Sequence, residues 1–228
     1  MNAAPADAGD VVVFDLDGTL VGGSSFGQFV RRLIYRSPWR LLLVALGSPM
    51  VLAMLLPRRT RIGLGSALVW LATVGRTESE LQRRARTFAS WHAGPDSGNR
   101  IEIALARLAA HQQSGAQVVV ATAAVEPVAS EIVRALGIVG ATVVASRLHP
   151  LRGGWVSERD RRGTAKVTRL LAAGYTLPVD YAYADSSHDV ALLRAARHPI
   201  AVQPGRTSWR ILRAAVPDCE ILTAAGLR

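Results

Sequence analysis

The chain has 228 residues, 27 of them basic and 17 acidic, for a net charge of +10. That length accommodates a domain with an insertion, or two small domains, and a substantial core. The single cysteine, Cys219, excludes an internal disulfide and fits a reducing compartment, and residues 1–10 carry no basic side chain and no apolar run, so no secretory signal pattern is visible.

Val11 to Phe14 is a short apolar run that predicts a strand buried on both faces. It delivers Asp15 and Asp17 at its carboxyl end, where Gly18 and Thr19 turn the chain. Ligands of open α/β sheets bind beyond such strand ends. Two acids held close there repel unless positive charge lies between them, so a divalent cation with oxygen ligands is expected.

Ser24 or Ser25 can cap a helix to about Tyr35, with Phe26, Phe29, Val30, Leu33 and Ile34 in one apolar stripe. Ser37-Pro38 breaks it. Leu41 to Leu56 follows, sixteen uncharged residues interrupted by Gly47-Ser48-Pro49. A straight helix of that length spans about 24 Å, short of a hydrocarbon core of about 30 Å, and the proline argues for a break. A second uncharged run, Ile62 to Gly75, carries Trp70, which suits an interfacial position. Thr77 with Glu80, and Asn99 with Glu102, read as capping boxes of two further helices. The first runs to about Trp91 with Leu81, Phe88 and Trp91 inward, and stops at Gly94-Pro95.

From Gln117 the pattern alternates. Val118 to Ala121 is a strand ending at Thr122, Pro127 to Leu136 a helix, and Ala141 to Ala145 a strand. Arg152 to Val156 reads as a hairpin. Thr164 to Ala173 is a helix with Lys166 in its first turn. Asp180 to Ala184 is a strand ending at Asp185, and Pro199 to Val202 and Glu220 to Leu222 are short strands. This alternation predicts an α/β fold: a Rossmann-like parallel sheet core, residues 1–22 and 115–228, with a helical cap, residues 23–114, inserted after the first strand.

The charge is uneven. Between Gly18 and Thr77 there is no acid, and the span holds Arg31, Arg32, Arg36, Arg40, Arg58, Arg59, Arg61 and Arg76. Such an asymmetry points to an anionic partner. Arginines flank both ends of the apolar run, which describes a helical hairpin dipping into one leaflet or helices lying in the interface. A buried helical pair in the cap is the alternative. Nucleic acid is disfavoured, because the arginines flank uncharged runs instead of lining a polar face with stacking aromatics. Lys166 is the only lysine among the 27 basic residues, which marks it for a role that needs a compact ammonium.

Asp15 and Asp17, then Thr122, then Lys166, then Asp185 and Asp189 in YADSSHD stand in an order that resembles the four motifs of the haloacid dehalogenase superfamily. The resemblance implies a phosphatase working through an aspartyl-phosphate. Asp15 is then the nucleophile and Asp17 the general acid and base. Thr122 donates to the phosphoryl group and Lys166 neutralises it. Mg2+ is held by Asp15, the Asp17 carbonyl and Asp185, with Asp189 direct or through water. Ala184 stands where the superfamily often has glycine, and His188 reads as a solvent-facing residue at a helix start. The cap placement resembles the phosphoserine-phosphatase-like branch, whose glutamate nine residues beyond the nucleophile is here Ser24, which disfavours phosphoserine.

FGQFVRRLIYRSP, ALVWLATVGRTESELQ, GGWV and YADSSHD further resemble the phosphatidylglycerophosphatase C family of lipid phosphatases. That implies conversion of phosphatidylglycerol phosphate to phosphatidylglycerol at the cytoplasmic face of a bacterial inner membrane, with anionic phospholipid as partner. A small soluble phosphomonoester in the cytoplasm is the alternative. No oligomeric state follows from the sequence.

Overall fold

Strand β1 (Val11–Phe14) is fully apolar and takes an interior position in the sheet, where both of its faces are covered. The computed structural model describes residues 9–54, 58–158, 163–223 and 226–227, with side chains described except over 47–64 and 226–227. Leu55 and Leu56, and the side chains of Arg58, Arg59 and Arg61, lie outside the described residues.

The remaining strands in chain order are β2 (Gln117–Val125), β3 (Thr142–Ser146), the hairpin β4 (Leu148–Leu151) and β5 (Gly154–Ser157), β6 (Val179–Ala184), β7 (Ala196–Val202), β8 (Glu220–Thr223) and β9 (Gly226–Leu227). The main sheet has the order β3-β2-β1-β6-β7-β8-β9. Its first six members are parallel, and β9 is antiparallel to β8. The expected α/β fold is therefore present. The hairpin forms a sheet of its own and turns at Arg152-Gly153, both at positive φ.

The helices are α1 (Ser25–Tyr35), α2 (Pro38–Met54), α3 (Arg58–Thr73), α4 (Glu78–Ala93), α5 (Glu102–Gln113), α6 (Glu126–Ala135), α7 (Ala165–Ala172), α8 (Val190–Arg194) and α9 (Arg206–Ala215). Alternation along the strands sorts the core into two layers. Val12, Phe14, Val118, Val120 and Tyr183 face the side covered by α5, α6 and the inserted helices. Val13, Val119, Ala182 and Ala184 face Leu170 of α7, Leu192 and Leu193 of α8 and Leu212 of α9. Each large side chain buried in this way contributes about 1.5–3 kcal/mol.

The sheet face beneath α5 carries a buried polar pair. His111 Nε2 lies 2.7 Å from the Tyr183 hydroxyl, and Tyr183 stacks on Phe14 with ring centroids 4.3 Å apart. Helix α5 thus packs directly on the sheet, although the division at 114/115 places it in the cap. Burial, helped by Arg107, pulls His111 from 6.5 down to about 4. The unfolded chain takes up this proton near pH 6.5 and the folded chain only near 4. The pair's stabilisation is complete above about 6.5 and is lost as pH falls through that window. His111→Phe should therefore lose less stability than wild type between pH 7 and pH 4.5, by about 1–3 kcal/mol in denaturant titrations. Equal losses would show that His111 is not the group responsible.

Several expectations for the inserted helices are corrected. Helix α2 continues through Gly47-Ser48-Pro49, because a proline removes one hydrogen bond of the helix and not the whole ladder. Trp70 is not free for an interface: its indole donates to the Leu151 carbonyl at 2.9 Å, and its ring packs on Gly154. Arg40 and Arg76 are buried and cap helix ends. Arg40 donates to the Leu71 and Val74 carbonyls at 2.9 and 2.7 Å, and Arg76 to Ala72 at 2.8 Å. On α4 the inward row is Leu81, Ala85, Phe88 and His92, the 3.6-residue period, so Trp91 is left outside under Arg32. Thr77 caps α4 through the Glu80 N–H, but the Glu80 carboxylate turns to Arg84. Asn99 does not cap α5, because its amide donates to the His92 carbonyl.

Among the described residues no helix is long and apolar enough to cross a membrane.

Candidate active site

β1 ends against β2 and β6 in register, which sets Asp15 beside Thr122 and Asp185 at one edge of the sheet. The Asp15 N–H donates to the Tyr183 carbonyl at 2.8 Å and continues the ladder to the site. The chain then closes a tight turn in which the Gly18 N–H donates to Val21 at 2.6 Å and the Val21 N–H to Leu16 at 3.1 Å. After this turn Asp17 lines the same cavity as Asp15. Gly18 sits at φ +82, and a Cβ there would run into the Asp185 carboxylate. Gly18→Ala combines left-handed strain of about 1–2 kcal/mol with displacement of Asp185. It should lower the melting temperature and weaken divalent-cation binding in titrations together. A variant with wild-type melting and metal response would remove Gly18 from the site's architecture.

All six predicted residues, Asp15, Asp17, Thr122, Lys166, Asp185 and Asp189, line a single cavity of about 470 Å3. Lys166, in the first turn of α7, places Nζ 2.6 Å from Asp15 Oδ1 and 2.5 Å from Asp189 Oδ1. Asp15 Oδ1 also accepts from the Leu16 N–H at 2.7 Å. Thr122 Oγ1 accepts from the Ala124 N–H at 3.0 Å, which leaves its proton to donate. β2 runs on to Val125 past this point, with a register shift against β3 between Ala121 and Val125. Asp189 lies in the short turn Ser187–Asp189, and the Ser186 hydroxyl donates to its Oδ2 at 3.4 Å.

Burial pushes the Asp15 carboxyl up to about 8, with Lys166 opposing and Asp189 and Asp17 adding to the rise. Asp17 and Asp185 are also raised, first by burial. Burial pulls the Lys166 ammonium down, but Asp15 and Asp189 more than reverse this. One ammonium thus serves a pocket of four carboxyls, and ionising all of them needs further positive charge. Asp15, Asp185 and Asp189 offer oxygens that lie within 4.8 Å of one another, so the donor set suits a hard divalent cation. The Asp17 carboxyl is not in that group. It accepts from the Ser25 N–H at 3.0 Å.

Sequence reasoning does not reach that contact. Ser25 reads there only as a helix cap, yet the start of α1 holds the second acid of the motif. Gly23, Ser24, Gly163 and Ser186 form the cavity's rim with His188, which is exposed, as its position in the turn suggests.

The family model for haloacid dehalogenase-like hydrolases matches residues 12–194. Over 105 residues the chain is 38% identical to a "probable phosphatase" of Mycobacterium tuberculosis; the match covers 43% of this chain and only 36% of that protein. A Bordetella pertussis Tohama I protein of unknown function superposes with a TM-score of 0.65 and 22% identity over 91% of this chain and 96% of that one. The apo form of a phosphoserine phosphatase superposes with a TM-score of 0.55 and 16% identity over 92% of each chain. At these identities the two structures speak to the fold alone.

Proposed function

The chain belongs to the haloacid dehalogenase-like hydrolase family, and from that premise we propose that it hydrolyses phosphomonoesters through an aspartyl-phosphate on Asp15. The observation that carries this reading is the Lys166 ammonium bridging Asp15 and Asp189 in a buried pocket that Thr122, Asp17 and Asp185 complete. Phosphoryl transfer is mostly a matter of positioning and charge stabilisation, which this pocket can supply.

Asp15 Oδ1 is occupied by the Leu16 N–H and Lys166, so Oδ2 is the oxygen left to attack phosphorus. The P–O bond to the alcohol breaks as the bond to Asp15 forms. Asp17, whose carboxyl burial holds above the ordinary range, gives its proton to the departing oxygen. It then takes a proton from the water that displaces phosphate from Asp15. Thr122 donates to the phosphoryl group, and Lys166 offsets its charge. Mg2+ held by Asp15, Asp185, Asp189 and the Asp17 carbonyl would neutralise the phosphate against the carboxylates.

For the substrate, the rim is small and polar. Ser24 accepts from the Gly27 N–H as the cap of α1, and among the described residues no carboxylate stands at that position for a substrate ammonium. A small phosphomonoester with no required amine fits this rim best. A second reading, a phosphatidylglycerol phosphate headgroup at an anionic membrane, is favoured by an inversion in α2. There the charged Arg40 is buried, while Trp39, Leu42, Leu43 and Leu46 are exposed next to Tyr35. That is an apolar face turned to its surroundings, as a membrane-seated helix requires.

The test is phosphate release from p-nitrophenyl phosphate, phosphoserine and phosphatidylglycerol phosphate in mixed micelles, with Mg2+ and with chelator. Release from none of them would overturn the phosphatase reading. Mg2+-dependent release confined to the lipid would select the second substrate class, and release confined to soluble esters the first.

A further inference from the structure

Away from the catalytic cavity, guanidinium groups gather where α1, α2 and α4 meet. Arg32 stands in the last turn of α1, Arg36 just past its end and Arg84 on α4, around a recess of about 140 Å3 that Phe29, Leu33 and Phe88 also line. The buried guanidiniums of Arg40 and Arg76 belong to the same group, since Arg84 acts on both electrostatically. Among the described residues one carboxylate meets this set. Glu80 Oε1 lies 2.8 Å from Arg84 Nη2 and 3.8 Å from Arg76 Nε. Arg32 lies on the face of Trp91 at 4.4 Å, and neither it nor Arg36 pairs with a carboxylate among the described residues.

The crowding has an electrostatic signature. Burial, then Arg36, pulls Arg32 below its ordinary range, and burial, then Arg40 and Arg84, pulls Arg76 down to about 10. The chain from Gly18 to Thr77 contributes no acid to the cluster, and Glu80 of α4 meets Arg76 and Arg84. Like charges held together around a recess favour an anion within it.

We propose that this recess is an anion site for a phosphate group. The guanidinium forks of Arg32 and Arg36 match phosphate oxygens. Phe29, Leu33 and Phe88, which are packed into the core, form the floor beneath them. The volume admits one such group. None of the residues lining the recess lines the catalytic cavity, so the site does not depend on the phosphatase reading. The phosphate can come from a lipid headgroup in a bilayer or from a soluble ester.

The experiment uses the full chain and two phosphodiester probes, which are not phosphomonoesters and so require no turnover. One is phosphatidylcholine vesicles with and without phosphatidylglycerol; the other is monomeric dihexanoyl phosphatidylglycerol. Arg36→Gln and the double variant Arg32→Gln/Arg36→Gln are compared with wild type at fixed ionic strength, with thermal melts as the check on folding. Loss of one charge-assisted contact should weaken binding by about tenfold or more. A fall on both probes supports the site with a lipid source. A fall on the soluble probe, with vesicles never bound, supports it with a soluble source. Unchanged affinity in the variants, or no binding of either probe by wild type, overturns it. Should the double variant fail to fold, Arg36→Gln decides alone, because the exposed Arg36 side chain makes no hydrogen bond among the described residues. Failure of the phosphatase reading is seen separately, as no phosphate release by wild type, and leaves these binding results standing.

Discussion

In an Asp15→Asn variant, phosphate release should fall by about 10⁴-fold or more while the chain stays folded. An amide oxygen is a poor nucleophile, and the phosphoester the reaction needs cannot form on it. Folding is spared for identifiable reasons. The amide that replaces the carboxylate keeps an oxygen able to accept from the Leu16 N–H and Lys166, and Lys166 keeps Asp189 at 2.5 Å. The change also removes a carboxyl that burial, with Asp189 and Asp17 adding to the rise, pushes up to about 8. The melting temperature should therefore hold or rise. The measurement is phosphate release in single-turnover mode beside a thermal melt, with mass spectrometry to exclude deamidation. Substantial turnover in an intact Asp15→Asn chain would mean that another group attacks phosphorus.

The parts of the site that are legible in the sequence share one property: each sits where a short apolar run ends or a helix begins. Asp15 follows VVVF and Asp185 follows VDYAYA, and parallel pairing of β1 with β6 then brings them together. Lys166 is marked by being the only lysine. What is not legible depends on partners far away in the chain. The Ser25 N–H on Asp17 is a backbone contact, which no side-chain pattern announces. Arg40 and Arg76 read as part of a basic face, and only the tertiary fold shows them turned onto the carbonyls that end α3. Hydrophobicity alone puts Trp91 inside α4, whereas the helical period puts His92 there. The sequence reading passes over α9, a ten-residue helix whose buried side chain is Leu212.

The inserted helices meet the candidate site at one end of their span and the sheet-covering helix α6 at the other. At one end the first residue of α1 holds Asp17. At the other α4 rests on α6, where the buried Glu131 accepts from Gln82 at 2.9 Å and pairs with Arg134 at 2.6 Å and Arg86 at 3.5 Å. Hairpin β4–β5 grips α3 through Thr73, whose hydroxyl accepts from the Trp155 N–H at 2.9 Å. A shift of the insertion would therefore move α1, and with it the acid and base of the proposed reaction, so substrate contacts on the insertion can be felt at Asp17.

Lys166→Arg should be nearly as damaging as loss of the residue, lowering phosphate release by about 10²–10³-fold, although it conserves charge. The Lys166 ammonium lies between two carboxylates, 2.6 Å from Asp15 Oδ1 and 2.5 Å from Asp189 Oδ1, with its side chain almost wholly buried. A point charge fits that gap. A planar guanidinium needs a wider one, and with Thr122 and Asp185 lining the same cavity it can enter only by pushing Asp15 off its Leu16 contact. The nucleophile's free oxygen then loses its aim, and a displacement of about 1 Å is enough to cost about 10²-fold. Lys166→Met tests the charge separately. It leaves Asp15 and Asp189 facing each other without a cation, so Asp15 should titrate still higher and activity at neutral pH should be lost. If Lys166→Arg retains near-normal rates, the ammonium is not in contact with the reacting phosphoryl group. The lone lysine of the chain would then be an accident of composition.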